Sequence, residues 1–134
     1  MRDLISSVAA EFAIAAAAIG SNTTQVSAII DLSKYNSAAF VIASHAWTDG
    51  AYTLSVEHGD NAALSDTAAA TVANGLLHPD SVLVVGAANK RIFSGYNGDK
   101  RYVRLTLVAS GVSSGAVVGV DVLEGNPLEA PVVH

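Results

Sequence analysis

The chain has 134 residues, no cysteine, a formal charge of −5 at pH 7 and only 14% charged residues. Such a length fits one domain able to bury a core without staples, and the lack of cysteine excludes disulfides, thiolate nucleophiles and cysteine-bound zinc. Because 51% of the residues are hydrophobic and 24 are alanine, either a compact alanine-rich monomer or a surface covered by further copies of the chain is expected.

Residues 1–20 read as an N-terminal arm or a short helix. Leu4, Val8 and Phe12 share a helical face and alanine favours helix, but glycine and β-branched residues follow at once. The apolar run from Phe12 to Gly20 is too short to span a bilayer, and Asp3 and Glu11 argue against an export signal behind Arg2. No membrane partner is expected.

Residues 21–124 follow a period of two. Phe40 and Ile42 share one face of a strand beginning near Ser37, and Tyr52, Leu54 and Val56 share one face of the next. Between them lies Thr48-Asp49-Gly50, with a glycine able to take positive φ, so these strands are predicted to form a hairpin with Trp47 beside the turn. His58 to Asp66 has the composition of a loop, and Thr67 to Leu77 reads as a short helix or an irregular crossing. Ser81–Val85 and Arg91–Phe93 are short strands, the second leading into a turn over Gly95–Gly98.

Strict alternation then predicts a strand over Tyr102–Leu107 with Val103, Leu105 and Leu107 inward, and Tyr102, Arg104 and Thr106 outward. After a Gly/Ser loop, Ala116, Val118, Val120 and Val122 line one side of another strand, predicted to pair antiparallel with the first. Pro127 and Pro131 make residues 125–134 an extended C-terminal arm. Six to eight short strands between turns define an all-β fold, a single antiparallel β-sandwich of jelly-roll or related topology with extended N- and C-terminal arms.

Chemistry is sparse. No two of the four histidines have metal-pair spacing, and His58 with Asp60 lacks a third ligand. Asp60, Asn61 and Asp66 lack the glycine and terminal glutamate of an EF-hand, so turn formation accounts for them better. There is no Gly-x-Ser-x-Gly elbow and no phosphate loop. No catalytic residue, cofactor or metal site is predicted.

Five of the seven basic side chains, Lys90, Arg91, Lys100, Arg101 and Arg104, lie within fifteen residues, offset there only by Asp99. Interleaved with Tyr96 and Tyr102 they superficially resemble a single-strand nucleic-acid platform, but the acidic whole gives no steering toward DNA, so no nucleic acid is expected. Two readings remain. Arg101 and Arg104 pair with acids on adjacent strands, or the cluster anchors an acidic protein surface. Charge asymmetry and the proline-containing tail mark Tyr96, Asn97, Asp99, Lys100, Arg101, Arg104, Leu128, Pro131 and Val133 as expected partner contacts.

Four runs share a further character: Asp31-Leu32-Ser33-Lys34-Tyr35-Asn36-Ser37-Ala38, Tyr52 to Asn61, Gly95-Tyr96-Asn97-Gly98-Asp99-Lys100-Arg101-Tyr102-Val103-Arg104-Leu105, and Gly125 to Pro131. In this order they resemble small tailed-bacteriophage virion structural proteins, the capsid decoration or cement proteins. Gly59-Asp60-Asn61 departs from the commoner aspartate-aspartate-glycine turn of that family. The resemblance implies a non-enzymatic protein assembled in the host bacterial cytoplasm and located on the virion capsid surface, with the major capsid protein and other copies of itself as partners. It would bind the outer face of the capsid as an oligomer and cement the shell. The alternatives are a head-tail connector or tail structural protein, or an exported ligand-binding β-sandwich.

Overall fold

The computed structural model describes residues 8–70, 76–77 and 83–127. They form eleven strands, β1 Val8–Ile19, β2 Thr24–Val26, β3 Ile30–Asp31, β4 Tyr35–Trp47, β5 Ala51–Gly59, β6 Ala68–Ala69, β7 Leu76–Leu77, β8 Leu83–Val85, β9 Arg91–Tyr96, β10 Tyr102–Ser110 and β11 Ala116–Pro127. One sheet has the order β1-β11-β4-β9-β7, and the other β2-β10-β5-β6 with β3 on β10 and β8 on β5. Every pairing is antiparallel.

The strands β2 and β3 are two halves of one interrupted strand. Ser27 bridges the gap, donating its N–H to the Leu105 carbonyl at 2.9 Å while its Oγ accepts the Leu105 N–H at 2.9 Å. Since β6 and β8 share the flank of β5, and the two-residue β7 only extends the edge beyond β9, eight principal strands remain, in the orders β1-β11-β4-β9 and β2/β3-β10-β5-β6/β8. That is a jelly roll, and the expected β-sandwich is realised.

The core lies between the sheets. Phe40, Ile42, Tyr52, Val103, Leu105, Leu107, Val118, Val120 and Val122 are fully buried, the inward sets that alternation marks on β4, β5, β10 and β11. Each such burial contributes about 1.5–3 kcal/mol relative to an exposed side chain.

The partners of these strands differ from the sequence expectation. Strands β4 and β5 lie in opposite sheets, so Thr48-Asp49-Gly50 is an arch across the sandwich and not a hairpin turn. Likewise β10 and β11 do not pair. Strand β10 runs between β5 and the β2/β3 pair, and β11 between β1 and β4. Alternation tells which face of a strand is apolar, and two strands that face each other across a core satisfy it as well as two that pair.

Residues 8–19, read as part of an arm or helix, are a sheet strand whose register with β11 shifts between Phe12 and Ile14 and again between Ile14 and Ala17. Gly119 permits this, because a Cβ there would come 2.9 Å from the Ala16 backbone. Strand β9 extends through Gly95 and Tyr96, residues expected in a turn. At the other end of the chain β11 continues to Pro127, into the span read as an arm. Ala68–Ala69 and Leu76–Leu77 are short strands, while residues 71–75 and 81–82 lie outside the described residues.

The two arches are fastened to each other. The Asp49 carboxylate accepts the N–H groups of Ser113 at 3.1 Å, Ser114 at 3.0 Å and Gly115 at 2.8 Å, and these bonds hold its carboxyl below the ordinary range. Gly115 has φ +96°, and a Cβ on it would run into the Ile19 carbonyl. Trp47 Nε1 donates to the Gly50 carbonyl at 3.0 Å and the Tyr52 hydroxyl to the Asp49 carbonyl at 3.1 Å. Asp49→Ala is therefore expected to lower the melting temperature in calorimetry, with Asp49→Asn, which retains one acceptor oxygen, falling between that variant and the parent chain.

Candidate functional site

Strand directions place three connections at the end of the sandwich opposite the arches: 32–34 between β3 and β4, 60–67 between β5 and β6, and 97–101 between β9 and β10. There Leu32, Ser33, Tyr35, Ser37, Ala38, Tyr96, Gly98, Asp99, Lys100 and Arg101 line a surface cleft of about 350 Å³. The cleft holds four of the expected contact residues, Tyr96, Asp99, Lys100 and Arg101.

Its floor is Tyr96, whose ring is buried because β9 turns it inward opposite Ala38. The Tyr96 hydroxyl lies 2.7 Å from Nδ1 of the buried His58, and the Lys100 N–H reaches the same oxygen at 3.3 Å. All three groups are satisfied when the tyrosine oxygen accepts from Lys100 and donates its own proton to His58. The rings meet edge to face at 5.7 Å. Burial, the largest influence, raises the Tyr96 pKa. Gly98 lets the loop fold over this hydroxyl, since a Cβ there would lie 2.4 Å from it, which explains the glycine two residues after the tyrosine.

The rim is built from ion pairs. Arg101 donates from Nε and Nη2 to the two oxygens of Asp31, each at 2.9 Å, and stands 5.0 Å over the Tyr102 ring. Those bonds, joined by the Ser33 N–H at 2.9 Å, hold the Asp31 carboxyl well below the usual range and raise the guanidinium. Lys100 Nζ meets Asp60 at 2.9 Å, and Arg104 Nε meets Glu57 on β5 at 3.1 Å. Arg101 and Arg104 thus pair with acids on adjacent strands, one of the two readings drawn from sequence. Exposed or half-exposed pairs of this kind add little stability, and their effect here is to hold the loop in one shape.

The basic run is not one patch. Arg91 stands opposite Ala43 and Tyr96 opposite Ala38, so Lys90 and Arg91 lie roughly 17 Å along β9 from the cleft. Arg91 instead lines a shallow hollow with Ser44, His45 and Asn89. Asn97 is exposed at the loop tip and Arg104 sits on the outward side of β10. Leu128, Pro131 and Val133 lie outside the described residues. The loop 60–66 closes on Asp66, whose carboxylate accepts the Asp60 and Asn61 N–H groups at 2.9 and 3.1 Å. Among the described residues, no group of three or more His, Asp or Glu side chains is placed to hold a metal.

Sequence reasoning missed Glu124. It continues the inward series Val118, Val120, Val122, so extending the alternation by two residues would have found it. Its side chain is buried and its Oε1 has no hydrogen-bond partner. Burial first, then the hydrogen bond and charge of Glu11, push its pKa up to about 8. Nearby Tyr35 is also raised, by burial and then by the charges of Glu124 and Glu11.

Between the ordinary 4.5 and about 8, the folded chain keeps a proton on Glu124 that the unfolded chain has released. This contribution is complete below pH 4.5 and is lost as the pH rises through 8. Melting temperatures measured from pH 5 to pH 8.5 are expected to fall in the parent chain and to fall much less in Glu124→Gln. Tyr96→Phe leaves the buried His58 ring nitrogen unpaired, and urea denaturation should show a loss of about 1–3 kcal/mol.

No protein-family model matches the chain, and no curated protein matches it. Among solved structures it is similar to the PBSX exported protein XepA, with a TM-score of 0.58 and 17% identity over 94% of this chain. The chain spans only 40% of the length of that protein. It is also similar to the SPBc2 prophage-derived protein YomS, with a TM-score of 0.52 and 9% identity over 87% of this chain and 93% of that one. At these identities the likeness is one of fold.

Proposed function

We propose that the chain is a non-enzymatic virion structural protein that binds the outer surface of a tailed-phage capsid as an oligomer and cements the shell. The observation that carries this reading is the build of the Gly95–Arg101 segment. The run that resembles phage decoration proteins is a preformed surface, with Tyr96 locked to His58 beneath it and Lys100 and Arg101 tied to Asp60 and Asp31 at its rim. Two phage-derived proteins sharing the fold support a phage origin.

The mechanism is adhesive. Such a rim offers charge and shape without having to be ordered on binding, which lowers the entropic cost of docking. Because each contact is small, avidity over several copies supplies the strength, and the neighbouring capsomers become cross-linked. A connector or tail location is the alternative, and the number of copies per major capsid protein in purified virions, measured by mass spectrometry, separates the two. Shell decoration requires many copies, a connector only a handful.

The direct test adds purified chain to capsids stripped of decoration. Saturable binding is expected. Asn97→Arg combined with Asp99→Arg, two exposed changes at the loop tip, should lower capsid occupancy at least tenfold at unchanged melting temperature. Failure of the parent chain to bind, or full occupancy by the double variant, would sink the assignment of this surface.

A further inference from the structure

The outer faces of the two sheets differ in kind. On the six-stranded sheet, Arg104 pairs with Glu57 and Thr106 stands opposite Ser55, and the two exposed valines there face only threonines across the strands, Val26 opposite Thr106 and Val108 opposite Thr24 and Thr53. On the five-stranded sheet, the register aligns Phe12 of β1, Asp121 of β11, Val41 of β4 and Phe93 of β9 in one transverse row. Phe12 is 78% exposed and Phe93 55%. The next row holds Ala10, Leu123, Ala39 and Gly95. Across both rows Asp121 is the single charged residue.

We propose that a second copy of this chain covers this face. The assignment deepens the oligomer in the functional reading above and rests on it in that respect, though it concerns a surface distinct from the cleft. Two arguments select a second copy over another partner. The first is symmetry: Phe12 and Phe93 lie in one row on strands three spacings apart, at equal distances from the line midway between β11 and β4. A half-turn about that line, parallel to the strands, sets Phe12 of each copy over Phe93 of the other, so the face is self-complementary in the manner of an isologous dimer.

The second argument is area. At ~4.8 Å spacing and ~3.3 Å per residue, β1, β11 and β4 paired over about ten residues and β9 over six, with Arg91 in the row beyond Phe93, cover roughly 570 Å² in projection. With side-chain relief added, this approaches the ~800 Å² per partner of a standard stable interface. The opposed phenylalanines form its aromatic anchors. Asp121 is the unfavourable element, because the half-turn carries it over Val41 of the partner subunit and buries its charge against an apolar side chain.

Sedimentation of the purified full chain over 1–100 µM, without capsids, tests the proposal independently of the cleft. A dimer of twice 13.6 kDa is expected. Phe12→Asp and Phe93→Asp should each shift it to monomer at least tenfold more readily, with circular dichroism and melting temperature confirming the fold. Asp121→Asn should tighten the association severalfold. Because the chain has no cysteine, a mixture of Phe12→Cys and Phe93→Cys proteins treated with a short bis-maleimide, which bridges thiols across the ~10 Å between stacked sheets, should give the mixed cross-linked dimer in preference to either self-linked one. A parent chain monomeric at 100 µM, an oligomer indifferent to both aspartates, or cross-linking of Phe12→Cys chiefly to itself would overturn the proposal. Loss of capsid binding with the dimer intact would overturn only the capsid reading.

Discussion

Val103, Leu105 and Leu107 on β10, and Val118, Val120 and Val122 on β11, leave no side-chain surface to water. These two strands are consecutive in the chain, yet each is the inner strand of a different sheet, and the apolar faces they carry are what the sheets close on. Because the hydrophobic term scales with area removed from water and has no direction, it demands that the faces meet without prescribing which strands pair. The connections must then cross the sandwich as arches, and the Asp49 carboxylate satisfies the N–H groups exposed where the second arch bends. The 32–34, 60–67 and 97–101 connections lie at the opposite end, where the first and last of them line the cleft.

At the cleft end, polar groups are handled in two ways. Cations on the rim are neutralised in pairs that remain in water, where they cost little and shape the loop. Beneath the rim, Tyr96 and His58 satisfy one another in a buried contact, in which an unmade hydrogen bond would be expensive. Glu124 is the exception, a carboxyl carried inward by the pleat at the point where the core ends. Its elevated pKa is the physical response to that position. Together they make an end surface of fixed shape, which suits a protein whose proposed work is to adhere.

The strands and their inward faces were largely legible in the sequence, because alternation over Tyr102–Leu107, Ala116–Val122, Phe40–Ile42 and Tyr52–Val56 is a local property. The same pattern reaches Glu124, whose acidic side chain and nearby Pro127 fit the start of an exposed tail equally well. Residues 8–19 were obscure for a different reason. Their alanines fit helix and strand alike, and two register shifts break the period. The pairing of Arg101 and Arg104 with acids on neighbouring strands was also readable in kind, though nothing local named Asp31 and Glu57 as the partners.

By itself the sequence determined an all-β chain, the inner face of its main strands and a glycine-containing turn before the strand at Tyr102. Tertiary structure alone decided that β4 and β5, and β10 and β11, face each other across the core, that the basic run divides between two ends of β9, and that His58 answers to Tyr96. The reason is one of range. A side chain's direction follows from its own position in the pleat, whereas its partner depends on which distant strand the burial of apolar area brings alongside.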